Sequence, residues 1–205
     1  MLEEYRRKRR FNVTPEPKGE RVARKRGKKL AFVVQKHRAT ALHYDFRLEW
    51  KGVMLSWAVP KGPSYDPTVK RLAMQVEDHP LEYNRFEGII PEGEYGGGTV
   101  MIWDRGTYGA EDGGDEDTIR SGYDRGDLKI VMHGTRMLGG WVLVRTRRDE
   151  RGRAQWLLIK HRDAFASADL DVVADANTSI VTGRTMEEIA RGAASKRSRR
   201  TRAKP

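Results

Sequence analysis

The 205-residue sequence contains no cysteine. Disulfide frameworks, thiol nucleophiles and thiolate metal sites are therefore excluded, and a metal ion would have to be held by histidine and carboxylate side chains. Long apolar runs are also absent: stretches such as residues 53–59 are far shorter than the roughly 20 residues of a membrane helix. The first ten residues lack the apolar run of a secretion signal. These absences predict an intracellular, cytoplasmic protein without a membrane partner.

Two common catalytic motifs are missing as well. No Gly-x-x-x-x-Gly-Lys-Ser/Thr occurs, and the glycines at 96–98 are not followed by a helical pattern, which argues against a nucleotide-binding loop. No serine stands in a Gly-x-Ser-x-Gly turn, so a serine hydrolase of that type is unsupported. The glycines at 96–98 are better explained by a bulge or a tight bend.

Short segments with alternating apolar and polar residues dominate the middle of the chain, and Gly, Pro and Asp separate them. This pattern predicts antiparallel strands. Eight segments suit a mainly β protein with a compact closed antiparallel barrel of about eight strands. Short helices are predicted only near the ends, at 2–10 and at 185–191, where Thr185 is a candidate N-cap. The predicted strands are 31–35, 42–50, 53–59, 71–77, 98–103, 127–132, 141–147 and 155–161.

Basic residues are concentrated at the two ends of the chain, although the formal net charge is +11. Residues 1–30 hold 12 Lys or Arg against 4 Glu, residues 196–205 hold six and no acid, and residues 31–195 hold 22 against 25. We predict a basic arm over 1–30, the barrel over 31–165, a linker-like extension with a short helix over 166–195 and a disordered basic tail over 196–205. The acidic run 111–117 is predicted to be a solvated loop.

The segment 37–50 carries the most chemical information. If 42–50 is a strand, His43, Asp45 and Arg47 share one face. An imidazole and a carboxylate two residues apart can reach one divalent cation, with His37 as a third ligand from the preceding turn. Two nitrogens and one oxygen suit Mn, Fe, Zn or Co better than Mg or Ca. The alternative is a strand whose polar face is simply wet, and the His-x-Asp pattern alone favours that alternative.

Other polar residues strengthen the case for a site. Arg71 and His79 are eight residues apart on a predicted strand and are expected to share a face, with His79 at the rim because a proline follows it. Lys61 occupies a turn after an apolar strand. Two further histidines, His133 and His161, are predicted to be solvated residues at strand ends. Arg47 lies one strand step from the possible metal, where a guanidinium can fork onto an anionic oxygen, whereas Lys61 taken alone is only a surface lysine and His79 a surface histidine before a turn.

Several motifs, in order, resemble the 3′-phosphoesterase family, known as the amino-terminal module of bacterial DNA ligase D and as stand-alone proteins. The resemblance spans about residues 2 to 165. One departure lies in the arm, where the family often has Lys-Arg-Asp-Phe and this chain has Arg10 in place of the acid. The motifs include FVVQKH at 32–37, LHYDFRLE at 42–49, WAVPKGP at 57–63, VEDHPLEY at 76–83, FEGIIPEGEYG at 86–96 and LGGWVLVR at 138–145.

The resemblance implies a manganese-dependent enzyme that heals 3′ ends in DNA repair, with Zn²⁺ and Co²⁺ as alternative metals. Such an enzyme removes a terminal ribonucleoside from a primer strand and then removes the remaining 3′-phosphate. It would act as a monomer in the cytoplasm at the nucleoid, on DNA or RNA–DNA primer-template ends, with a repair ligase or polymerase as a partner. By position the metal ligands are His37, His43 and Asp45, and the phosphate contacts are Arg47, Lys61, Arg71 and His79. Tyr83 matches an active-site tyrosine and Glu16 an acid of the arm. Arg47, His79 and Tyr83 are the predicted catalytic residues.

Two other functions remain open from the sequence. A non-catalytic module that binds DNA ends and serves as a scaffold for a repair ligase or polymerase would also use basic tails. An iron oxygenase would use two histidines and one carboxylate, formally satisfied by His43, Asp45 and His133. The three cations near the metal argue against the oxygenase, and the intact set of site residues argues against a scaffold.

Overall fold

The computed structural model describes residues 2–19, 29–150 and 152–192. Nine strands carry the fold: β1 (Leu30–Arg38), β2 (Leu42–Trp50), β3 (Val53–Val59), β4 (Arg71–Pro80), β5 (Gly88–Ile90), β6 (Gly98–Ala110), β7 (Asp127–His133), β8 (Leu138–Arg148) and β9 (Ala154–Lys160). The helices are α1 (Glu3–Arg7), α2 (Glu116–Arg125), α3 (Val172–Asp175) and α4 (Met186–Ala190), with a 3-10 helix at Leu81–Arg85. None of these helices, within the described ranges, is long and apolar enough to cross a membrane.

Eight of the strands close into an antiparallel barrel. The order is β1-β2-β3-β4-β9-β8-β7-β6, and β6 pairs again with β1. β6 is long enough to pair with β5 near its start and with β7 near its end. The predicted fold class and all eight predicted strands are therefore confirmed. Closure explains the alternating pattern, because one face of each strand looks into the barrel and loses contact with water.

The barrel interior is filled by large apolar and aromatic side chains. Four tryptophans, Trp57, Trp103, Trp141 and Trp156, are fully buried there. Trp57 and Trp156 meet edge to face, with ring centroids 5.8 Å apart. A second, smaller apolar cluster lies on the outside of the barrel and contains Val33, Met54 and Ile102, covered by Leu81, Ile180 and Val181. The outer surface of β1 and β3 is thus also packed against protein.

Three elements in the middle of the chain were not predicted, namely the 3-10 helix at Leu81–Arg85, β5 and α2. The strand β5 has three residues, too few to show an alternation. The helix α2 follows directly on the acidic run, and Asp115 caps it by accepting hydrogen bonds from the backbone N–H groups of Asp117 and Thr118. Gly126 ends it in the left-handed region, with φ 83°. The prediction of a loop over 111–117 is therefore wrong at its C-terminal end, because Asp115 and the acids after it form a helix start.

The segment after the barrel packs against it. Val172, Met186 and Ile189 are buried, and Trp103 donates a hydrogen bond from Nε1 to the carbonyl oxygen of Ala176 at 2.9 Å. The helix predicted at 185–191 is present as α4, and Thr185 caps it as expected. A linker-like course is not observed in the described residues 166–192, because these apolar side chains have a barrel surface to cover. The predicted tail at 196–205 lies outside the described residues.

Candidate active site

The candidate site lies on the outer surface of the barrel, where β1, β2 and β3 run side by side. The apolar residues of β2 point into the core, so alternation turns His43, Asp45 and Arg47 outward. The register places His37 of β1 opposite His43, and Ser56 of β3 opposite Arg47. The polar face predicted for β2 is therefore extended by residues from both neighbouring strands.

The ligand atoms of His37, His43 and Asp45 all lie within 4.8 Å of one another, and no other such group occurs in the part of the chain that the structure describes. Nε2 of His37 lies 2.9 Å from the carbonyl oxygen of Gly96, and Nδ1 of His43 lies 3.0 Å from that of Ala41. A carbonyl oxygen can only accept, so these two nitrogens carry the protons. In the neutral rings, Nδ1 of His37 and Nε2 of His43 then direct lone pairs toward Asp45, at 3.3 and 3.7 Å from its oxygens.

This donor set fits a divalent metal ion. Lone pairs that converge on a carboxylate repel one another unless a cation lies between them, and each histidine is oriented through its other nitrogen, as metal-bound histidines usually are. His37, His43 and Asp45 would hold the ion, and their two nitrogens and one oxygen match Mn, Fe, Zn or Co. The third ligand is His37, whereas the oxygenase alternative required His133, which is exposed at the end of β7.

Arg47 is held rigidly beside the metal ligands. Its guanidinium donates to Gln35 at 2.9 Å and to Ser56 at 2.8 Å, and it pairs with Asp45 at 3.1 Å. Burial disfavours the charge of Asp45, but with Arg47 as the largest opposing influence the pKa of this carboxyl is held well below its usual range. Asp45 is therefore ionised at neutral pH, as a metal ligand must be.

The N-terminal arm supplies a second buried arginine. Arg9 donates to Glu16 at 2.9 Å and to Glu77 at 3.0 Å, and its guanidinium lies 3.9 Å from the centre of the Tyr5 ring. Glu16 also accepts a hydrogen bond from the hydroxyl of Tyr83 at 2.8 Å. Glu16, predicted as a site residue, therefore lies behind the cavity and positions two groups that line it, Arg9 and Tyr83.

His79 is buried rather than at the rim. Its side chain lines the cavity but the residue is only 3% exposed, so the predicted rim position is wrong: the arm covers the end of β4. Nδ1 of His79 donates to the carbonyl oxygen of Glu77 at 2.8 Å, and Nε2 accepts from Arg9 at 3.1 Å. Burial, followed by the charges of Arg47 and Arg9, lowers the pKa of His79 well below its usual value. His79 is therefore a neutral imidazole in this state.

A tight turn over residues 91–97 covers the metal ligands. Glycine at position 96 adopts φ 75°, in the left-handed region, and this conformation lets its carbonyl group meet His37. Tyr95 from the same turn faces the arm, where the ammonium group of Lys8 lies 4.6 Å from its ring centre. Arg10 pairs with Glu94 of this turn. Arm, turn and strands together enclose a cavity of about 160 Å³ that is open to solvent on one side.

Lys61 is not among the residues that line this cavity. It occupies the turn after β3, and its side chain is exposed. The role of Lys61 in binding phosphate therefore stays a prediction.

Arg71 and His79 do not share a face. The pairing between β3 and β4 shifts by one residue between Val76 and His79, which is a β-bulge that changes the alternation. Arg71 pairs directly with Leu158, a core residue, and so points to the inner side of the barrel. The predicted shared face is wrong for this reason, and the role of Arg71 in binding phosphate stays a prediction.

Sequence reasoning missed two charged residues of the site, Arg9 and Glu77. Arg9 is one of five consecutive basic residues, 6–10, and composition does not tell which of them turns inward. The available signal was the spacing from Tyr5 to Arg9, because side chains four apart on a helix are neighbours. Glu77 lies two residues before His79, and the signal available for it was strand alternation, which places residues two apart on one face.

A closed β-barrel carries two nitrogens and one carboxylate that converge outside it, next to two buried arginines, and this arrangement could hold a metal ion beside an anionic oxygen group. The family model described as the DNA Ligase D 3′-phosphoesterase domain matches residues 35–145. The chain belongs to this family, and the expected resemblance is confirmed. Members of a phosphoesterase family are hydrolases that act on phosphoester bonds, and the site belongs to that class.

Three relatives illustrate the similarity. The chain is 48% identical over 188 residues to the multifunctional non-homologous end joining protein LigD of Pseudomonas aeruginosa, a match that covers 90% of this chain and 22% of that protein. It is 46% identical over 150 residues to the LigD DNA repair protein of Mycobacterium tuberculosis, covering 72% and 19%, and 41% identical over 163 residues to LigD of Mycolicibacterium smegmatis, covering 79% and 21%. The chain thus spans about a fifth of the length of these relatives.

Proposed function

We propose that this protein heals 3′ ends during non-homologous end joining. It removes a 3′-terminal ribonucleoside as a phosphodiesterase and then the 3′-phosphate as a phosphomonoesterase, leaving a 3′-OH on primer-template DNA. The observation that carries the proposal is the convergence of His37, His43 and Asp45 beside Arg47 and Arg9. Family membership and the names of the relatives support the biological setting.

The charges that line the cavity suit a phosphate. Among the residues that line the cavity, Arg9 and Arg47 are balanced by Asp45 and Glu77. A divalent ion would add two positive charges, which a phosphate group would neutralise. Both guanidinium groups are already fixed by carboxylate and hydroxyl partners, so little side-chain entropy is lost when an anion binds.

A bound divalent ion would neutralise charge on the phosphate oxygens and lower the pKa of a water molecule. Arg47 and Arg9 orient the phosphate so that water attacks phosphorus and the leaving oxygen departs on the opposite side. The phosphate takes over the hydrogen bond that Arg9 donates to Nε2 of His79, while the other nitrogens of Arg9 stay on Glu16 and Glu77. The negative charge of the phosphate raises the pKa of the imidazole, so Nε2 takes up a proton from water, and His79 can then donate this proton to a phosphate oxygen or to the leaving oxygen. Tyr83 and Glu16 keep Arg9 in place, and Lys61 reaches a more distant phosphate.

Manganese is the proposed metal, with Zn²⁺ and Co²⁺ as alternatives of suitable ligand preference. The arm, the barrel and the segment up to residue 192 would act together as one monomeric unit, because the arm completes the site and α4 packs on the barrel. A repair ligase or polymerase is the proposed partner. Action on chromosomal DNA ends would place the protein in the cytoplasm, at the nucleoid.

The test is a labelled primer-template that ends in one ribonucleotide, incubated with and without Mn²⁺. We expect a 3′-phosphate product first and a 3′-OH product later, and neither after chelation. His43→Ala should remove both products while the folding midpoint is kept, because His43 packs against little besides His37. His133→Ala, an exposed histidine at the end of β7, is the matched control and should be fully active. Full activity of His43→Ala, or of the chelated protein, would contradict the proposal.

A further inference from the structure

A second depression adjoins the catalytic cavity. It has a volume of about 460 Å³, against about 160 Å³ for the cavity itself. Val76, Glu77 and Tyr95 line both, so the two are continuous. The far wall is the end of the hairpin formed by β8 and β9. A molecule that reacts in the cavity and extends from it has this path along the protein surface.

Arginines dominate the far wall. The β8–β9 pairing has a bulge between Arg145 and Arg147, so that Arg145 pairs with Trp156 and Arg148 pairs with Ala154. Without the bulge, residues three apart would point to opposite faces; with it, Arg145 and Arg148 line the same depression. Arg153 from the start of β9 lines it as well. We call this depression the basic groove, defined by Arg145, Arg148, Arg153, Tyr95 and Tyr123.

The two β8 arginines of the basic groove are held by neutral groups. Arg145 donates to the carbonyl oxygen of Asp124 at 2.8 Å and lies 5.3 Å from the ring centre of Trp156. Arg148 donates to the carbonyl oxygen of Gly152 at 2.7 Å. Carbonyl oxygens and an aromatic face fix the position of a guanidinium group and leave its charge in place. Both side chains are exposed, so this charge is presented to a ligand.

The acids at the near wall are already paired. Lys8 contacts Glu4 at 2.8 Å and Glu77 at 3.0 Å, and Arg9 contacts Glu77 from the other side. Electrostatic repulsion of an anion by these carboxylates is therefore reduced at the entrance to the cavity. On the far wall Arg153 is balanced by Asp149 at 2.7 Å, so Arg145 and Arg148 are the groove arginines whose charge is available to a ligand.

Aromatic rings complete the basic groove. Tyr123 stacks on Trp156 with ring centroids 5.5 Å apart, and its hydroxyl meets the amide of Gln75, so the ring is fixed. Tyr95 is 47% exposed and lies at the junction with the catalytic cavity. Fixed or exposed aromatic faces next to cations are the features that bind single-stranded nucleic acid, since bases stack on rings while phosphates meet arginines.

We propose that the basic groove binds the nucleotides immediately 5′ of the reacting 3′ end, on the same strand, where these nucleotides are unpaired from the template. The inference rests on the proposed function, because it takes the reacting phosphate to lie in the catalytic cavity. Arg148 and Arg145 contact backbone phosphates, and Tyr95 faces the base next to the reacting end. The strand is held without base-specific contacts, so its sequence has little influence.

Binding without metal separates this inference from catalysis. A fluorescent single strand of twelve nucleotides ending in a ribonucleotide is titrated with protein in chelator over a range of salt concentrations. We expect Arg148→Ala to raise the Kd about threefold to tenfold and to reduce the salt slope by about 0.7. The matched control is Arg162→Ala, which removes the same charge from an exposed arginine beyond the opposite end of β9. It should leave both values unchanged.

A small substrate, bis(p-nitrophenyl) phosphate, gives a second readout with metal. It fills the catalytic cavity alone, so Arg148→Ala should hydrolyse it at the wild-type rate while its KM for the oligonucleotide rises. Equal Kd values for Arg148→Ala and Arg162→Ala would show that the basic groove does not bind the strand, even if the wild-type enzyme heals 3′ ends. A change confined to duplex DNA would overturn the strand assignment. A weakened Kd in a protein with no hydrolytic activity would keep the groove and contradict the proposed function.

Discussion

Two clusters of buried polar side chains on this barrel differ in how their hydrogen-bonding groups are used. At one end of the barrel, Lys160 is fully buried and donates to Asp163 and to the carbonyl oxygen of Gly140 at 2.9 Å. Asp163 in turn accepts from the backbone N–H groups of Gly140 and Phe165. Every donor named here meets an acceptor, so this cluster fixes a loop and has nothing left to offer a ligand.

The cluster at His37, His43 and Asp45 is arranged in the opposite way. Backbone carbonyl groups accept from one nitrogen of each histidine, and the remaining lone pairs face a carboxylate. Hydrogen-bond acceptors that face one another lower the stability of the folded protein unless a cation or a proton donor lies between them. The comparison teaches that burial of charged groups does not identify a site. An excess of one kind of hydrogen-bonding group, aimed at a cavity, does.

The cluster of Lys160 and Asp163 is called the self-contained cluster here. Removing the ammonium group of Lys160 should have the largest effect on stability. Lys160→Met leaves the Asp163 carboxylate without its cation, and the side chain of Asp163 is 27% exposed, so water relieves part of the cost. We expect a loss of about 3 kcal/mol in the free energy of unfolding, at the low end for a broken buried pair. Urea unfolding measures it. Turnover of the folded fraction should equal wild type; a large fall in turnover would mean that the two clusters are coupled.

The arm arginine should matter most for catalysis. Arg9→Lys keeps the charge but cannot bind Glu16, Glu77 and a phosphate at once, because an ammonium lacks the planar fork. We expect turnover at saturating substrate to fall about 100-fold, as for a misplaced catalytic group. Steady-state kinetics on the ribonucleotide-ended primer measures the change. Wild-type turnover would show that the arm only covers the site.

Low pH should reduce the free energy of unfolding mainly through groups of the candidate site, and His79 is the first of these to contribute as the pH falls. Its folded pKa lies below the value of 6.5 that it has when unfolded, so below pH 6.5 the unfolded chain binds a proton that the folded chain does not. Stability is therefore lost as the pH falls below 6.5, by up to about 1.4 kcal/mol per pH unit until the folded pKa is reached.

His79→Gln removes this titration and serves as the reference. Its unfolding free energy should be flatter between pH 6.5 and 5 than that of wild type. Asp45 contributes only at lower pH, because its folded pKa lies below the ordinary value of 3.8 and its stabilisation is lost as the pH falls through that region. Parallel curves for wild type and His79→Gln would refute the neutral, buried imidazole.

The smallest effect is expected for substitution of Arg10, the sequence neighbour of Arg9. The side chain of Arg10 is 68% exposed where that of Arg9 is 5% exposed, and Arg10 pairs with Glu94, whose side chain is only 5% exposed. Solvent screens the exposed guanidinium group, so this pair contributes less to stability than the buried pairs of Arg9. Arg10→Ala should lower the melting temperature only slightly and leave turnover within experimental error. A strong loss of activity would show that Arg10, where the family often has an acid, has taken on a role in the site.

The sequence predicts the repetitive part of this molecule well. The eight barrel strands and the outward face of β2 follow from alternation, and His37, His43 and Asp45 follow from residue type and spacing. The features that the sequence does not predict depend on a β-bulge and on contacts between residues far apart in the sequence. The bulge in β4 turns Arg71 away from His79, and the burial of Arg9 depends on an arm whose contacts with Glu16 and Glu77 are remote in sequence. Neither alternation nor composition encodes such contacts.

A Mn²⁺ titration followed by electron paramagnetic resonance tests directly whether His37, His43 and Asp45 bind a metal ion. We expect one bound ion per chain for wild type and for His161→Ala, a control histidine that contacts Glu111 on another part of the barrel. His43→Ala should lose this ion while its circular dichroism spectrum is unchanged. Equal Mn²⁺ binding by His43→Ala and wild type would show that this cluster is not a metal site.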